Sequence, residues 1–111
     1  MKTYDKLIRD RIPEIIAERG GTSKMRVCDD DAEYLERLVA KLREEVDEFA
    51  AEASQPASRQ AGAEELADIL EVIRALCLRL GFDPQEVEAL RAGKEAARGG
   101  FAKRLILLET D

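Results

Sequence analysis

"KLREEVDEFAAEASQPASRQAGAEELADILEVIRALC", residues 41–77, holds two clusters of acids, Glu44-Glu45-Glu48 and Glu64-Glu65-Asp68, each set in an apolar pattern of helical period. Between them "SQPASRQAG" interrupts the pattern, with Pro56 at its middle. Two long helices are predicted. The first starts from a cap at Asp29, Asp30 or Asp31 and runs to about Ala53. The second covers roughly Ala61 to Leu80 and stops at Gly81. A connection of roughly seven to nine residues favours an antiparallel helical hairpin.

The directions of the acids matter more than their number. A chain with 24 acidic residues produces pairs three apart by chance, as at Asp30/Glu33 and Glu44/Asp47. The first helix carries an apolar stripe of Leu35, Leu38, Val39, Leu42, Val46 and Phe49, and the second a stripe of Leu66, Ile69, Leu70, Ile73, Cys77 and Leu80. At about 100° per residue, Glu45 and Glu48 lie about −70° and −130° from the first stripe's centre. Glu65 and Asp68 lie about −85° and −145° from the second. Matching offsets place both pairs on one side of an antiparallel pair that meets through its stripes. The midpoints of the two pairs are also equidistant in sequence from the loop centre near Pro56. Four carboxylates are therefore expected at one level, on the border of a core, whereas Glu33 and Glu36 project away as solvated residues do. Gathering four like charges costs several kcal/mol where they are partly desolvated. A hard divalent cation offsets that cost, and oxygen-only ligands suit Mg²⁺ or Mn²⁺. The competing reading is two solvated helix flanks that never converge.

Outward from this stretch, "IRDRIPEIIAERGG" reads as a short helix from about Pro13 to Arg19, stopped by Gly20-Gly21. "DPQEVEALRAGKEAA" supplies Asp83 as a cap and Pro84 at the first position of a further helix. "TSKMRVCD" (22–29) and "FAKRLILLE" (101–109) are strand candidates that would pair as a small β-ribbon. The expected class is all-α: a hairpin within a bundle of four to five helices. The second long helix adds Val72, Ala75, Leu76 and Leu78 to its stripe, so it is apolar around much of its circumference. Such a helix is buried on several sides, which a chain this small cannot supply, so a homodimer or homotetramer using that helix is expected.

The totals bound the function. With 111 residues the chain suits one domain over 1–111. A net charge of −6 argues against a nucleic-acid polymer or an anionic membrane as partner. Neither a membrane-spanning run nor a secretory pattern is present, so a cytoplasmic location is expected. Cys28 and Cys77 are isolated and read as free thiols. Histidine is absent, which removes imidazole acid–base chemistry and Ser-His or Cys-His catalysis.

The pattern Glu44-Glu45-x-x-Glu48, 16 intervening residues, then Glu65-x-x-Asp68 resembles the EExxE…ExxD signature of the MazG-like, all-α nucleoside triphosphate pyrophosphohydrolases. That superfamily also includes phosphoribosyl-ATP pyrophosphatase and dimeric dUTPases. The opening "YDKLIRDRIPEII" and closing "RGGFAKRLILLE" are similar to its phosphoribosyl-ATP pyrophosphohydrolase-like branch, so the resemblance spans nearly the whole chain. It implies Mg²⁺-dependent hydrolysis between the α- and β-phosphates, with release of a monophosphate and pyrophosphate. Carried over by motif position, Glu45, Glu48, Glu65 and Asp68 would be metal ligands. Glu44 is a secondary candidate that would complete a second ion's shell or position the water, or it is simply a solvated acid.

Phosphate oxygens need donors, and Lys94, Arg98, Lys103 and Arg104 surround "RGGFAKR". Lys6, Arg9 and Arg11 would reach a phosphate or ribose, or else pair with nearby Asp5, Asp10 and Glu14. Lys41, one turn before Glu45, would offset ligand charge. Three functions therefore compete: hydrolysis of non-standard or surplus nucleoside triphosphates, phosphoribosyl-ATP hydrolysis in histidine synthesis, and a non-catalytic helical oligomer that binds a partner. Base and sugar preference is not legible.

Overall fold

Asp30 starts the first long helix. Its Oδ1 accepts the backbone N–H of Glu33 at 2.8 Å, and Glu33 Oε1 reaches back to the N–H of Asp29 at 2.7 Å. Donors that a helix start leaves unpaired are thereby satisfied. The computed structural model describes residues 2–53 and 59–111. It places α1 at Ile12–Glu18, α2 at Asp31–Ala53, α3 at Arg59–Leu80 and α4 at Pro84–Arg98. The turn centre at Pro56 lies outside the described residues.

Local chemistry accounts for the other boundaries. Gly81 adopts φ +81°, while Phe82 N–H bonds to Cys77 O at 2.8 Å and Gly81 N–H to Leu78 O at 3.3 Å, the pattern that closes a helix on a left-handed glycine. Two residues later Asp83 Oδ1 accepts from Gln85 N–H at 2.9 Å and Pro84 opens α4. The chain is all-α, with four helices and no strand among the described residues. The expected β-ribbon of 22–29 with 101–109 does not form. A strand needs a neighbour to complete its ladder, and within one chain neither segment has one. Residues 22–29 are held by side chains instead, with Arg26 paired to Glu33 at 2.9 Å. Leu105, Ile106, Leu107 and Leu108 lie exposed in an extended tail.

α2 and α3 form the main packed pair, and α4 touches α3 only. Arg79 Nε, near the end of α3, donates to Asp31 O at the start of α2 at 3.1 Å. The face that α3 buries is not its apolar stripe. Val72 is buried, Glu65, Asp68, Ile69, Leu76 and Arg79 are half-buried, and Leu66, Leu70 and Ile73 are exposed, Leu70 at 66%. That face is rotated by about 100° from the stripe centre, toward the acids. On α2 the buried residues are Leu38 and Glu45, with Val46 exposed, a rotation of about 70° in the same sense. The premise that the helices meet through their stripes is therefore corrected. They meet along the edge that carries the carboxylates, which leaves Leu66, Leu70, Ile73 and Leu80 of the α3 stripe exposed, whereas on α2 Val46 alone of the stripe is exposed.

Little is buried as a result: Leu38, Val72 and Cys77 are the buried apolar residues among those described. The radius of gyration is 18.0 Å, against about 13 Å for a compact chain of this length. No helix among the described residues is long and apolar enough to cross a membrane.

Candidate metal centre

Glu45 is 5% exposed, the one buried charged residue among those described. It sits on the inner edge of α2, where Leu38 lies two turns earlier. Carboxylate oxygens of Glu45, Glu65 and Asp68 lie within 4.8 Å of one another, and so do those of Glu44, Glu45 and Glu48. Glu45 belongs to both groups and joins them. Acids from two helices, separated in sequence by 16 intervening residues, are thus brought together at one level, as expected from their angles. The reason differs from the expected one: both helices turn their acidic edges toward each other, which buries Glu45 in the seam, while Glu44, Glu65 and Asp68 lie half-buried at its border and Glu48 stays exposed.

The electrostatics follow from that placement. Glu45 Oε2 and Glu65 Oε2 are buried with no hydrogen-bond partner, a costly state for a carboxylate. Burial, then the adjacent carboxylates of Glu45 and Glu48, push the Glu65 carboxyl up to about 7. Burial and the charges of Glu45 and Glu44 also raise Glu48. Glu44 goes the other way. Burial would raise it, but the hydrogen bond from Lys6 and the charges of Lys41 and Lys6 outweigh burial and hold it below its ordinary value.

Three cations reach this cluster. Lys41 Nζ stands 3.3 Å from Glu45 Oε1 and 3.6 Å from Glu44 Oε2, as its place one turn before Glu45 suggests. The other two come from the irregular segment 2–11. Lys6 Nζ donates to Glu44 Oε1 at 3.1 Å and Arg9 Nη2 to Asp68 Oδ1 at 2.7 Å. Between them Leu7 and Ile8 are half-buried. Arg37 on α2 fixes the segment's approach, with Nη1 donating to Asp5 O at 2.8 Å and Nη2 3.0 Å from Asp5 Oδ1. The segment therefore straps across both helices, bonded to α2 at Asp5 and Lys6 and to α3 at Arg9. Pairs this exposed contribute about 0.5 kcal/mol each, so they decorate the cluster rather than hold the fold. Of the local pairings expected for this segment, only Arg11 with Glu14, at 2.9 Å, forms among these three. Helical periodicity carries no signal for a strap. Its only sequence trace is a pair of cations flanking an apolar dipeptide.

Lys94, Arg98, Lys103 and Arg104 are exposed. No hydrogen bond or ion pair among the described residues joins them to the carboxylates. Arg98, Lys103 and Arg104 instead line a hollow of about 360 Å³ with Gly99 and Gly100 at the end of α4. A second hollow runs along the outer flank of α2, lined by Arg43, Glu44, Asp47 and Glu48 with Ala40 and Ala51. Since one helix supplies all of its lining, it is an open surface beside the acids rather than an enclosed cavity.

The donor set fits a hard divalent cation. It offers carboxylate oxygens only, two of them buried without a partner, from residues that two helices hold in place. Oxygens around Mg²⁺ stand about 3–4 Å apart, so a 4.8 Å spread needs only small side-chain rotations.

One consequence is a stability profile. The folded value for Glu65, about 7, lies above the ordinary 4.5. The native state therefore keeps a proton that the unfolded chain releases between these values, and stability falls as pH rises through that window. Glu33 acts elsewhere: the hydrogen bonds from Arg26 and from the Asp29 backbone lower it to about 2, so its contribution is lost only as pH falls from 4.5 toward 2. In EDTA the melting temperature is expected to drop between pH 5 and pH 8. A melting temperature that climbs across that range would remove the strained carboxyl from the account.

The family model described as phosphoribosyl-ATP pyrophosphohydrolase matches residues 1–91, which include the strap and all five clustered acids. An uncharacterized protein of Mycolicibacterium smegmatis is 46% identical over 57 residues, a match covering 51% of this chain and 57% of that protein. The chain thus spans little more than half the length of that relative. No solved structure matches. With carboxylates of two helices meeting in one seam, and with most of its length matched by the family model, the chain belongs to the phosphoribosyl-ATP pyrophosphohydrolase family of the MazG-like superfamily.

Proposed function

We propose that the protein hydrolyses a nucleoside triphosphate, non-standard or surplus, to the monophosphate and pyrophosphate in a Mg²⁺-dependent reaction. Family membership supports nucleotide pyrophosphohydrolase chemistry in general. The observation that carries the reading is the pair of buried, unpartnered oxygens on Glu45 and Glu65, facing a cluster that Glu48 and Asp68 complete. In this reading the hairpin is antiparallel, which the Asp31–Arg79 and Glu45–Glu65 proximities support. Glu45, Glu48, Glu65 and Asp68 hold Mg²⁺, or Mn²⁺ in its place. Bound there, the ion would neutralise phosphate charge and acidify a water.

The chain's own residues do the rest. Glu65, with its carboxyl near 7, would release its proton on taking its place as a ligand, so the site should load more readily as pH rises toward 8. Glu44, held ionised by Lys6 and Lys41, is suited to accept a hydrogen bond that orients the water. At Glu45 and at the buried oxygen of Glu65 the seam excludes water, so these charges act more strongly than at an exposed surface. Lys94, Arg98, Lys103 and Arg104 stand as candidate phosphate donors, which requires a second copy or a folded-back tail to bring them to the acids. A homodimer or homotetramer is part of the proposal, supported by the open stripe of α3 and the extended shape. The expected location is the cytoplasm.

The family's description favours testing phosphoribosyl-ATP as a rival substrate in histidine synthesis. Pyrophosphate release should be measured with canonical, deoxy and damaged triphosphates and with phosphoribosyl-ATP, each with Mg²⁺ and with EDTA. The expected result is Mg²⁺-dependent release from one or more triphosphates. Release from phosphoribosyl-ATP alone moves the assignment to the rival. If Mg²⁺ neither supports release nor raises the melting temperature, and Glu48→Ala or Asp68→Ala changes nothing, the chain is a non-catalytic binding oligomer.

A further inference from the structure

Five carboxylates meet at the seam, and among the described residues three cations, Lys6, Arg9 and Lys41, stand against them. With all five ionised two negative charges remain, the charge of one divalent ion. Lys41 rises from α2 itself, largely covered, and pairs with both Glu44 and Glu45. Lys6 and Arg9 differ. They come from the strap, each touches its acid through one nitrogen, and both are well exposed. A divalent ion seated on the cluster draws on the same negative charge and repels both.

We propose that Lys6 and Arg9 are exchangeable counter-ions: they hold Glu44 and Asp68 until an ion is seated, then turn to the phosphate oxygens of the incoming nucleotide. This rests on the hydrolase reading above and names the cations that the reading leaves open. Three observations carry it. The strap spans both helices that supply the acids, so its two cations flank the cluster, Lys6 against α2 and Arg9 against α3. Its backbone stays in place during the exchange, because Arg37 grips Asp5 and Leu7 and Ile8 are tucked in, so only side-chain torsions change. A polyphosphate also offers more charge and more acceptors than one carboxylate, and a guanidinium fork takes two of its oxygens at once. Lys94, Arg98, Lys103 and Arg104, by contrast, are joined to these acids by no hydrogen bond or ion pair among the described residues.

An exchange predicts effects of opposite sign, which a merely structural role does not. Wild type, Lys6→Met/Arg9→Met and Glu45→Gln are compared by titration calorimetry at one ionic strength, first with Mg²⁺ alone and then with Mg²⁺ plus inorganic tripolyphosphate. The double variant should bind Mg²⁺ about threefold tighter, since its competitors are gone, and tripolyphosphate about tenfold weaker. Equal loss of both affinities, no change in either, or tripolyphosphate binding at wild-type strength overturns the exchange. Mg²⁺ binding by wild type that Glu45→Gln abolishes and the double variant does not strengthen overturns it alone. Absence of Mg²⁺ binding by wild type removes the hydrolase reading with it. Should circular dichroism show the double variant unfolded, Lys6→Gln alone is held to the same two opposite shifts.

Discussion

Glu65→Gln should lower turnover by about 10²- to 10³-fold while raising the melting temperature in EDTA at pH 8. Both effects come from one oxygen. Glu65 Oε2 is buried without a partner beside Glu45 and Glu48, and its carboxyl stays protonated up to about 7. At pH 8 the wild-type chain carries that charge at a cost. An amide of the same shape carries none, and its N–H₂ can donate to the orphaned Glu45 Oε2. Catalysis needs the very charge that stability rejects, so the substitution trades one for the other. At pH 5 wild-type Glu65 is already protonated, and the variant's advantage in melting temperature should vanish. Retained turnover would take Glu65 out of the site. An equal loss of melting temperature at both pH values would mean the side chain merely packs.

That convergence was largely legible before any coordinates, and the reasons are uneven. Helix boundaries follow from caps and stops whose chemistry is local: Asp30, Asp83, Pro84 and Gly81 each act within a few residues. The acids' shared angular offset is likewise a property of helical geometry, and it survives a joint rotation of both helices because the two rotate in the same sense. The rotation itself was not legible. An apolar stripe says which face avoids water, not whether the same chain or another copy covers it. The strap was hidden for a different reason. Lys6 and Arg9 find Glu44 and Asp68 across separations of 38 and 59 residues, and no local rule couples such positions. The strand candidates failed on the same ground, since alternation proposes a ladder but cannot supply the second strand.

Leu70→Glu combined with Leu78→Glu should convert the protein to monomers at micromolar concentration, read as mass by light scattering. Each leucine is more than half exposed, at 66% and 59%, on a helix whose buried face lies elsewhere. With Leu66 and Ile73 they form an apolar surface that the chain leaves uncovered. Burying a leucine there contributes about 2 kcal/mol, and replacing it with a charge forfeits that and adds desolvation, so two such changes raise a dimer's Kd by at least about a thousandfold. The fold of one chain should survive, because Leu38, Val72, Cys77 and the caps are untouched, and helical ellipticity reports this directly. The joint outcome also bears on the site. Monomers that still bind Mg²⁺ would show that α2 and α3 of a single chain complete the cluster, as the Glu45, Glu65 and Asp68 spacing indicates. Lost turnover in those monomers would then place the missing phosphate donors, Arg98 or Lys103 among them, on the neighbouring copy. A wild type that is itself monomeric removes the proposed oligomer, and an oligomer of unchanged mass moves the interface off α3, leaving the exposed run Leu105–Leu108 as the surface to mutate next.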